Sequence, residues 1–380
     1  MEWRIPLSDI DFGPEEAAAV QQVVQSRWLT MGAITQDFEK RFADYVGARH
    51  AIAVTNATAA LHLACLAAGL GPGDEAIVPS LTFVASANAI RYTGAKVVFA
   101  DIESEDWLNI SPEAISACLT PRTRAIVVVH YGGYPCDMAS ILGIAHRHGL
   151  KVIEDAAHAI GSELGGKKLG TWGDIGCYSF FSNKNMTTGE GGMLATDNDQ
   201  LADRLRLLRS HGMTSLSWDR FKGHAWSYDV VDLGYNYRID EIRSSLGRAQ
   251  LAKLERNNEC RRDLTALYHD WLAELVPQVN VPFQAQRGLS ACHLLPILLP
   301  HGCDRTHFME NMKSYGIQTS FHYPPVHQFR IYQSDETQGC CSLPITEKVA
   351  EREVTLPLYP SMTMADVKVV VQAVRDSLIK

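Results

Sequence analysis

The sequence predicts an α/β fold: a large domain on a mainly parallel sheet, followed by a smaller C-terminal α/β domain. Three observations carry this. From Ala51 to about Leu208, short apolar runs of strand length alternate with stretches of helical spacing, and such alternation means a parallel sheet covered by helices. After Asn236 the spacing of Ile242, Leu246, Leu264, Leu267, Trp271 and Leu275 is helical throughout, which suits a long connecting helix into a second unit. The length of 380 residues is too great for one small core. The division expected is 1–249 for the large domain and 250–380 for the small one.

Taken in order, the expected strands are Ala51-Ile-Ala-Val54, Glu75-Ala-Ile-Val78, Lys96-Val-Val-Phe99, Ala125-Ile-Val-Val-Val129, Lys151-Val-Ile-Glu154 and Gly176-Cys-Tyr-Ser-Phe-Phe181. Each is short and rich in residues that pack on both faces of a buried sheet. Between the first two, Ala59 to Ala68 reads as a helix stopped by Gly69. Ligands of such sheets sit beyond the carboxyl ends of the strands. Thr55 to Thr58, Pro79 to Phe83 and Asp155 to His158 are therefore expected around one crevice.

Composition narrows the class. Hydrophobic content of 46% and charged content of 21% are ordinary for a globular protein. A net charge of −8 and a pI of about 6.0 give no footing for nucleic acid. Met1-Glu2-Trp3-Arg4-Ile5-Pro6 has no basic segment followed by an apolar run, and no stretch is apolar for the length of a bilayer. A cytoplasmic protein without membrane partners is expected. The nine cysteines are scattered, with Cys340 and Cys341 adjacent and no C-x-x-C pair. Reduced thiols and no metal site are expected.

Two residues carry the chemistry. Asp155 ends a strand in Val152-Ile-Glu-Asp155, where a carboxylate faces the crevice; alone, it reads first as a turn or N-cap residue. Lys184 lies amid Phe180, Phe181, Asn183 and Asn185, before Thr187-Thr-Gly-Glu-Gly-Gly192. A lysine with few like charges nearby suits a partly desolvated amine that loses its proton and attacks a carbonyl. Pyridoxal phosphate needs such a lysine, and a carboxylate against its pyridine nitrogen. Its phosphate needs N–H groups at a helix start, which Thr55-Asn-Ala-Thr-Ala-Ala60 offers, although an ordinary N-cap reads the same way. Phe83 follows a strand end and reads either as a ring stacked on the cofactor or as core packing.

With these residues in view, the chain resembles the DegT-type nucleotide-sugar aminotransferases, a family of fold-type-I pyridoxal-phosphate enzymes, over nearly its whole length. The resemblance rests on Trp28-Leu-Thr-Met-Gly32, Asn56-Ala-Thr-Ala-Ala-Leu-His62, Pro79-Ser-Leu-Thr-Phe-Val84, Glu154-Asp-Ala-Ala-His-Ala159, Ser179-Phe-Phe-Ser-Asn-Lys184, Thr187-Thr-Gly-Glu-Gly-Gly-Met193, Gly234-Tyr-Asn-Tyr-Arg238 and His322-Tyr-Pro-Pro325. Together and in this order they are highly specific.

The resemblance implies that Lys184 forms the Schiff base and shuttles protons, that Asp155 pairs with the pyridine nitrogen, and that His158 lies near the phenolic oxygen. It implies that Phe83 stacks on the ring, that Ala57, Thr58 and Ser179 hold the phosphate, and that Asn236 reaches the same phosphate from a second copy, so that the active unit is a homodimer. Arg238, His322 and the loop around Thr30 would border the sugar-nucleotide site, though a surface salt bridge is an equal reading of Arg238.

The implied reaction moves an amino group from glutamate to a keto-sugar linked to a nucleoside diphosphate. The family usually has glycine before the phosphate-binding threonine, whereas this chain has Ala57, which still supplies an N–H. Ser182-Asn183 before the lysine, and the Thr-Thr-Gly-Glu-Gly-Gly run after it, resemble the members acting at C4, such as perosamine synthases. A cyclitol ketone or keto sugar acid as acceptor is the rival. A sugar dehydratase of this family carries histidine at the lysine position, so Lys184 speaks against one, and the intact Asp155 and Lys184 speak against a non-catalytic binding protein.

Overall fold

The computed structural model describes residues 3–215, 227–333, 339–340 and 342–379. Among these residues the main sheet has eight strands in the order β1-β9-β8-β5-β4-β2-β3-β11. They are β1 (His50–Val54), β2 (Glu75–Pro79), β3 (Lys96–Ala100), β4 (Thr123–Val129), β5 (Lys151–Asp155), β8 (Ile175–Ser179), β9 (Gly192–Thr196) and β11 (Gly339–Cys340). All run in one direction except β9, which is antiparallel to both β1 and β8. Cys341 of the adjacent cysteine pair lies outside the described residues.

Side-chain alternation along the strands divides the core. Val54, Val78, Phe99, Val127, Ile153 and Leu194 join one apolar cluster. On the other face, Ile77, Val98, Ile126, Val128 and Val152 join a second, and Ala53, Tyr178 and Met193 a third. Because the strands from β1 to β5 and β8 and β9 are buried on both faces, their sequences read as nearly continuous apolar runs. The helices of the large body are α1 (Pro14–Ser26), α2 (Ala33–Val46), α3 (Ala57–Ala67), α4 (Ala85–Tyr92), α5 (Pro112–Ala117), α6 (Met138–His148) and α7 (Asp199–Arg209). α3 begins at Asn56, whose side chain accepts the Ala59 N–H at 2.8 Å, a cap worth about 1 kcal/mol. It ends before Gly69, which takes the left-handed φ of 88° that glycine adopts without strain.

A helix of 35 residues, α8 (Glu241–Leu275), leads onward and packs against α1 and α2 near one end and α11 near the other. Beyond it lie β10 (Leu295–Leu298), α9 (Arg305–Ser314), α10 (Pro344–Arg352), β12 (Glu353–Leu356) and α11 (Met364–Ile379). β10 and β12 pair antiparallel, and with Leu264, Tyr268, Leu272, Phe308 and Val370 they build a separate apolar core. The small hairpin of β6 (Glu163–Leu164) and β7 (Lys167–Lys168) turns at Gly165-Gly166.

The strand expected over 176–181 ends earlier, at Ser179. The Ser179 hydroxyl accepts the Phe181 N–H at 3.3 Å, and the Phe181 carbonyl accepts the Lys184 N–H at 3.0 Å, so the chain is already turning. That early turn carries Lys184 over the sheet edge. No helix among the described residues is long and apolar enough to cross a membrane.

Candidate active site

Four strand ends converge on one cavity of about 420 Å³. The ends of β1, β2 and β5 and the segments after them line it with Asn56 to Thr58, Thr82 and Phe83, and Asp155, Ala157 and His158. β8 brings Ser179, the turn after it brings Lys184, and the segment after α9 brings His322 and Tyr323.

Asp155 ends β5 and is 6% exposed. Its Oδ2 accepts the Ser86 hydroxyl at 2.7 Å and its Oδ1 the Ala157 N–H at 3.1 Å. Burial raises its pKa above the usual carboxylate value, while Ser86, the Ala157 N–H, Lys184 and His130 favour the anion. The carboxylate has fixed donors at its sides and faces the crevice.

Among the described residues Lys184 meets no carboxylate at bonding distance. Burial pulls its pKa down to about 8 against the attraction of Asp155, so far more of the amine is neutral near neutral pH than in an exposed lysine. A neutral amine is the nucleophilic form.

His158 Nδ1 lies 3.3 Å from the Gly132 N–H and accepts it, so the ring proton sits on Nε2, 3.1 Å from the Tyr323 hydroxyl. Burial, then the charge of Lys184, holds its pKa well below the ordinary histidine value, and the ring is neutral.

At the far wall α3 starts with Ala57 and Thr58. First-turn N–H groups have no intrahelical carbonyl to bond and point outward, an anion site in waiting. Gly192 of β9 lets this terminus sit close to the sheet: a Cβ there would lie 2.6 Å from the Asn56 carbonyl carbon. Phe83 is 57% exposed on the cavity wall, with its ring 6.0 Å from that of Tyr323. Of its two readings from sequence, core packing is therefore excluded.

The sugar-side residues divide. His322 lines the cavity; its Nδ1 lies 2.7 Å from the Thr355 hydroxyl, which donates to Glu353 Oε1 at 2.6 Å. The His322 N–H donates to Glu353 Oε2 at 2.6 Å, and the Tyr131 hydroxyl donates to the His322 carbonyl. Burial, with Lys184 nearby, pulls the imidazole down to about 4. Asn236, Arg238 and Thr30 do not line the cavity. They share one backbone arrangement, in which Asn236 bridges Ser210, Arg238 bridges Val54 at the end of β1, and Asp240 bridges Thr30. Asn236 and Thr30 face solvent, and Leu233, three residues before Asn236, is 83% exposed. Burial and the neighbouring Arg209 lower the Arg238 pKa.

Sequence reasoning missed Ser86, Tyr323, His293 and the Glu353-Thr355 pair. Tyr323 stood inside a segment already singled out. The others had no signal, because their partners lie far along the chain.

The donor set suits pyridoxal phosphate. It offers a buried carboxylate, a poised amine, a helix start for a phosphate and an exposed aromatic face in one cavity. Asn183 Oδ1, beside the lysine, is buried with no hydrogen-bond partner among the described residues and adds an acceptor. Among the described residues no cluster of three or more His, Cys, Asp or Glu side chains is arranged to hold a metal ion.

Known proteins share this architecture. The model of the DegT/DnrJ/EryC1/StrS aminotransferase family matches residues 11–375. The spore coat polysaccharide biosynthesis protein SpsC of Bacillus subtilis is 42% identical over 377 residues, 98% of this chain and 96% of that protein. The structure of Helicobacter pylori PseC, an aminotransferase involved in the biosynthesis of pseudoaminic acid, superposes with a TM-score of 0.91 at 28% identity, over 100% of both chains. The PLP form of the putative sugar aminotransferase Spr1654 from Streptococcus pneumoniae gives a TM-score of 0.90 at 26% identity, over 99% of this chain and 98% of that one.

Proposed function

Since the chain belongs to the DegT/DnrJ/EryC1/StrS family and is a sugar aminotransferase, we propose that it moves an amino group from glutamate to a keto-sugar linked to a nucleoside diphosphate, at C4 of the sugar. The observation that carries this is the convergence of Lys184 and Asp155 in one cavity with the start of α3. The family is PLP-dependent, and in this reading pyridoxal phosphate is the cofactor here too; when bound it supplies an electron sink for the substrate's C–H bond.

The chain's own residues then take the following parts. Lys184 holds the cofactor and moves the proton between carbon atoms. Asp155 remains an anion, because Ser86 and Ala157 satisfy it, and faces the pyridine nitrogen. Ala57, Thr58 and Ser179 hold the phosphate, Phe83 stacks on the ring and His158 stands by its phenolic oxygen. His322, Arg238 and Thr30 border the sugar nucleotide. The exposure of Asn236, and of Leu233 three residues before it, supports a homodimer in which Asn236 serves the partner's phosphate site. The divisions 1–249 and 250–380 then correspond to the cofactor-binding and small domains, and the setting is the cytoplasm.

The test is incubation with glutamate and a panel of acceptors: nucleotide-linked 3-keto and 4-keto hexoses, a cyclitol ketone and a keto sugar acid. Formation of 2-oxoglutarate with a nucleotide-linked acceptor, and an aminated product identified by mass, supports the reading. Turnover confined to the cyclitol or the sugar acid overturns it.

A further inference from the structure

We propose that His293 is the positioning residue of Lys184: its Nε2 accepts an N–H of the lysine's ε-amine and holds that amine toward the crevice whenever it is not bonded elsewhere. The proposal rests on Lys184 being the reactive amine, as read above.

The chain of contacts starts far from the cavity. Asn258 is buried on α8 and donates through Nδ2 to the Ile160 carbonyl at 2.9 Å. Its Oδ1 accepts Asn185 Nδ2 at 2.8 Å, and the same Asn185 nitrogen donates to the Ala291 carbonyl at 2.8 Å. Both amide hydrogens of Asn185 are thereby used, which fixes its orientation and turns Oδ1 toward His293 Nδ1 at 2.9 Å. That nitrogen must donate, so it carries the ring proton. Nε2 is left with its lone pair, 3.5 Å from Lys184 Nζ. The ring is held in place as well, since the His293 N–H donates to the Gly132 carbonyl at 2.9 Å and the residue is 6% exposed.

The surroundings keep this imidazole neutral. Burial comes first, with the positive charges of Lys184 and Arg261 nearby, and together they hold its pKa well below the ordinary value. His158 lies closest among the rings, with centroids 4.5 Å apart. Asp155 is the carboxylate that acts on the lysine, from the end of β5. The chemistry of the choice follows. A lysine on a flexible four-carbon stem needs an acceptor to fix its head. A carboxylate in this place would fix it but would also hold its proton, whereas a neutral imidazole orients the amine without adding an anion.

The test reads the lysine itself. In the full-length protein freed of cofactor, the rate of Lys184 acylation by acetic anhydride is followed against pH by peptide mass spectrometry. His293→Leu should lower the apparent pKa of Lys184 by about one unit, because the ammonium loses an acceptor. His293→Gln, whose carbonyl oxygen can accept, should keep the wild-type value. Asn185→Leu should lower it as well, because Nδ1 loses its acceptor and the ring can turn an N–H toward the lysine. In the loaded enzyme kcat, rather than KM, should fall in His293→Leu and recover in His293→Gln. If His293→Leu does not fold, the contrast between His293→Gln and Asn185→Leu decides. An unchanged Lys184 pKa in every folded variant overturns the proposal. Full activity of Lys184→Ala would instead overturn the role of the lysine, leaving the labelling result to stand on its own.

Discussion

Ser86 donates its hydroxyl to Asp155 Oδ2 at 2.7 Å from the first turn of α4, across the crevice wall from the strand that carries the aspartate. With the Ala157 N–H on the other oxygen, the buried carboxylate is supplied with donors that favour its charged form. Asp155→Asn keeps the volume and removes the charge. We expect the variant to fold and to bind cofactor, with kcat reduced on the order of a hundredfold or more, the usual scale for losing one preorganised electrostatic partner. Near-normal turnover with cofactor bound would remove Asp155 from the mechanism.

Lys184→Ala tests the amine directly. Turnover should fall on the order of ten-thousandfold, the upper range for losing a group that moves protons. Cofactor should still bind, through the first turn of α3 and Ser179. The cofactor's absorption band should shift, because no lysine–cofactor bond forms, which absorption spectroscopy reads. Retained transaminase activity would overturn the assignment of Lys184.

Glu353 gives a pH dependence. It is buried, accepts the His322 N–H and the Thr355 hydroxyl, and burial pushes its carboxyl up to about 8 from 4.5. A folded pKa above the unfolded one means that its contribution to stability is full below about pH 4.5 and is lost as the pH rises toward about 8. The total is on the order of a few kcal/mol. Glu353→Gln has no such titration. The Tm of the variant relative to wild type should therefore rise steadily between about pH 5 and about pH 8, whatever its sign at the start. A difference independent of pH would show that Glu353 ionises as freely in the folded chain as in the unfolded one.

The parts legible in the sequence are those whose cause is local. β1 through β5 lie within two residues of their expected ends, because a strand buried on both faces must be apolar throughout. Asp155 and the start of α3 could be placed because the carboxyl ends of parallel strands share one edge, whereas Lys184 is singled out by its neighbours Phe180, Phe181, Asn183 and Asn185 and by the family resemblance. The hidden parts depend on contacts between distant residues. Ser86 meets Asp155 across 69 positions, and Asn185 meets His293 across 108. Nothing in either neighbourhood marks a serine or histidine as part of a site. Phe83 stood between two readings until its exposure was known, since an aromatic after a strand packs a core as readily as it lines a cavity.

A shared active site predicts complementation. Lys184→Ala and Asn236→Ala subunits should each be nearly inactive alone. In a mixed dimer one site receives an intact Lys184 from one subunit and an intact Asn236 from the other, so activity should rise above that of either parent. Asn236 is exposed and outside the cavity of its own chain, which motivates the test. No recovery in a verified heterodimer would place Asn236 outside the partner's site.

Regiochemistry provides the last prediction: with matched 3-keto and 4-keto nucleotide hexoses, amination should occur at C4. Ser182-Asn183 and Thr187 to Gly192 flank Lys184, and Asn183 and Glu190 from these segments line the cavity beside it. The acceptor carbon has to come to the reactive amine. A hexose anchored through its diphosphate presents only certain ring carbons there, so the flanking segments and the anchor choose the carbon together. Arg238 suits the anchor, because its guanidinium can pair with two phosphate oxygens at once. Its position against the end of β1 places it next to the start of α3 and not in the cavity itself. Replacing Arg238 with alanine should therefore raise KM for the sugar nucleotide by about tenfold while leaving the half-reaction with glutamate intact, as expected for losing one charge-assisted contact. Product NMR is the decisive measurement. A C4 amine from the 4-keto compound supports the assignment, and amination of the 3-keto compound alone sinks it while the aminotransferase family membership stands.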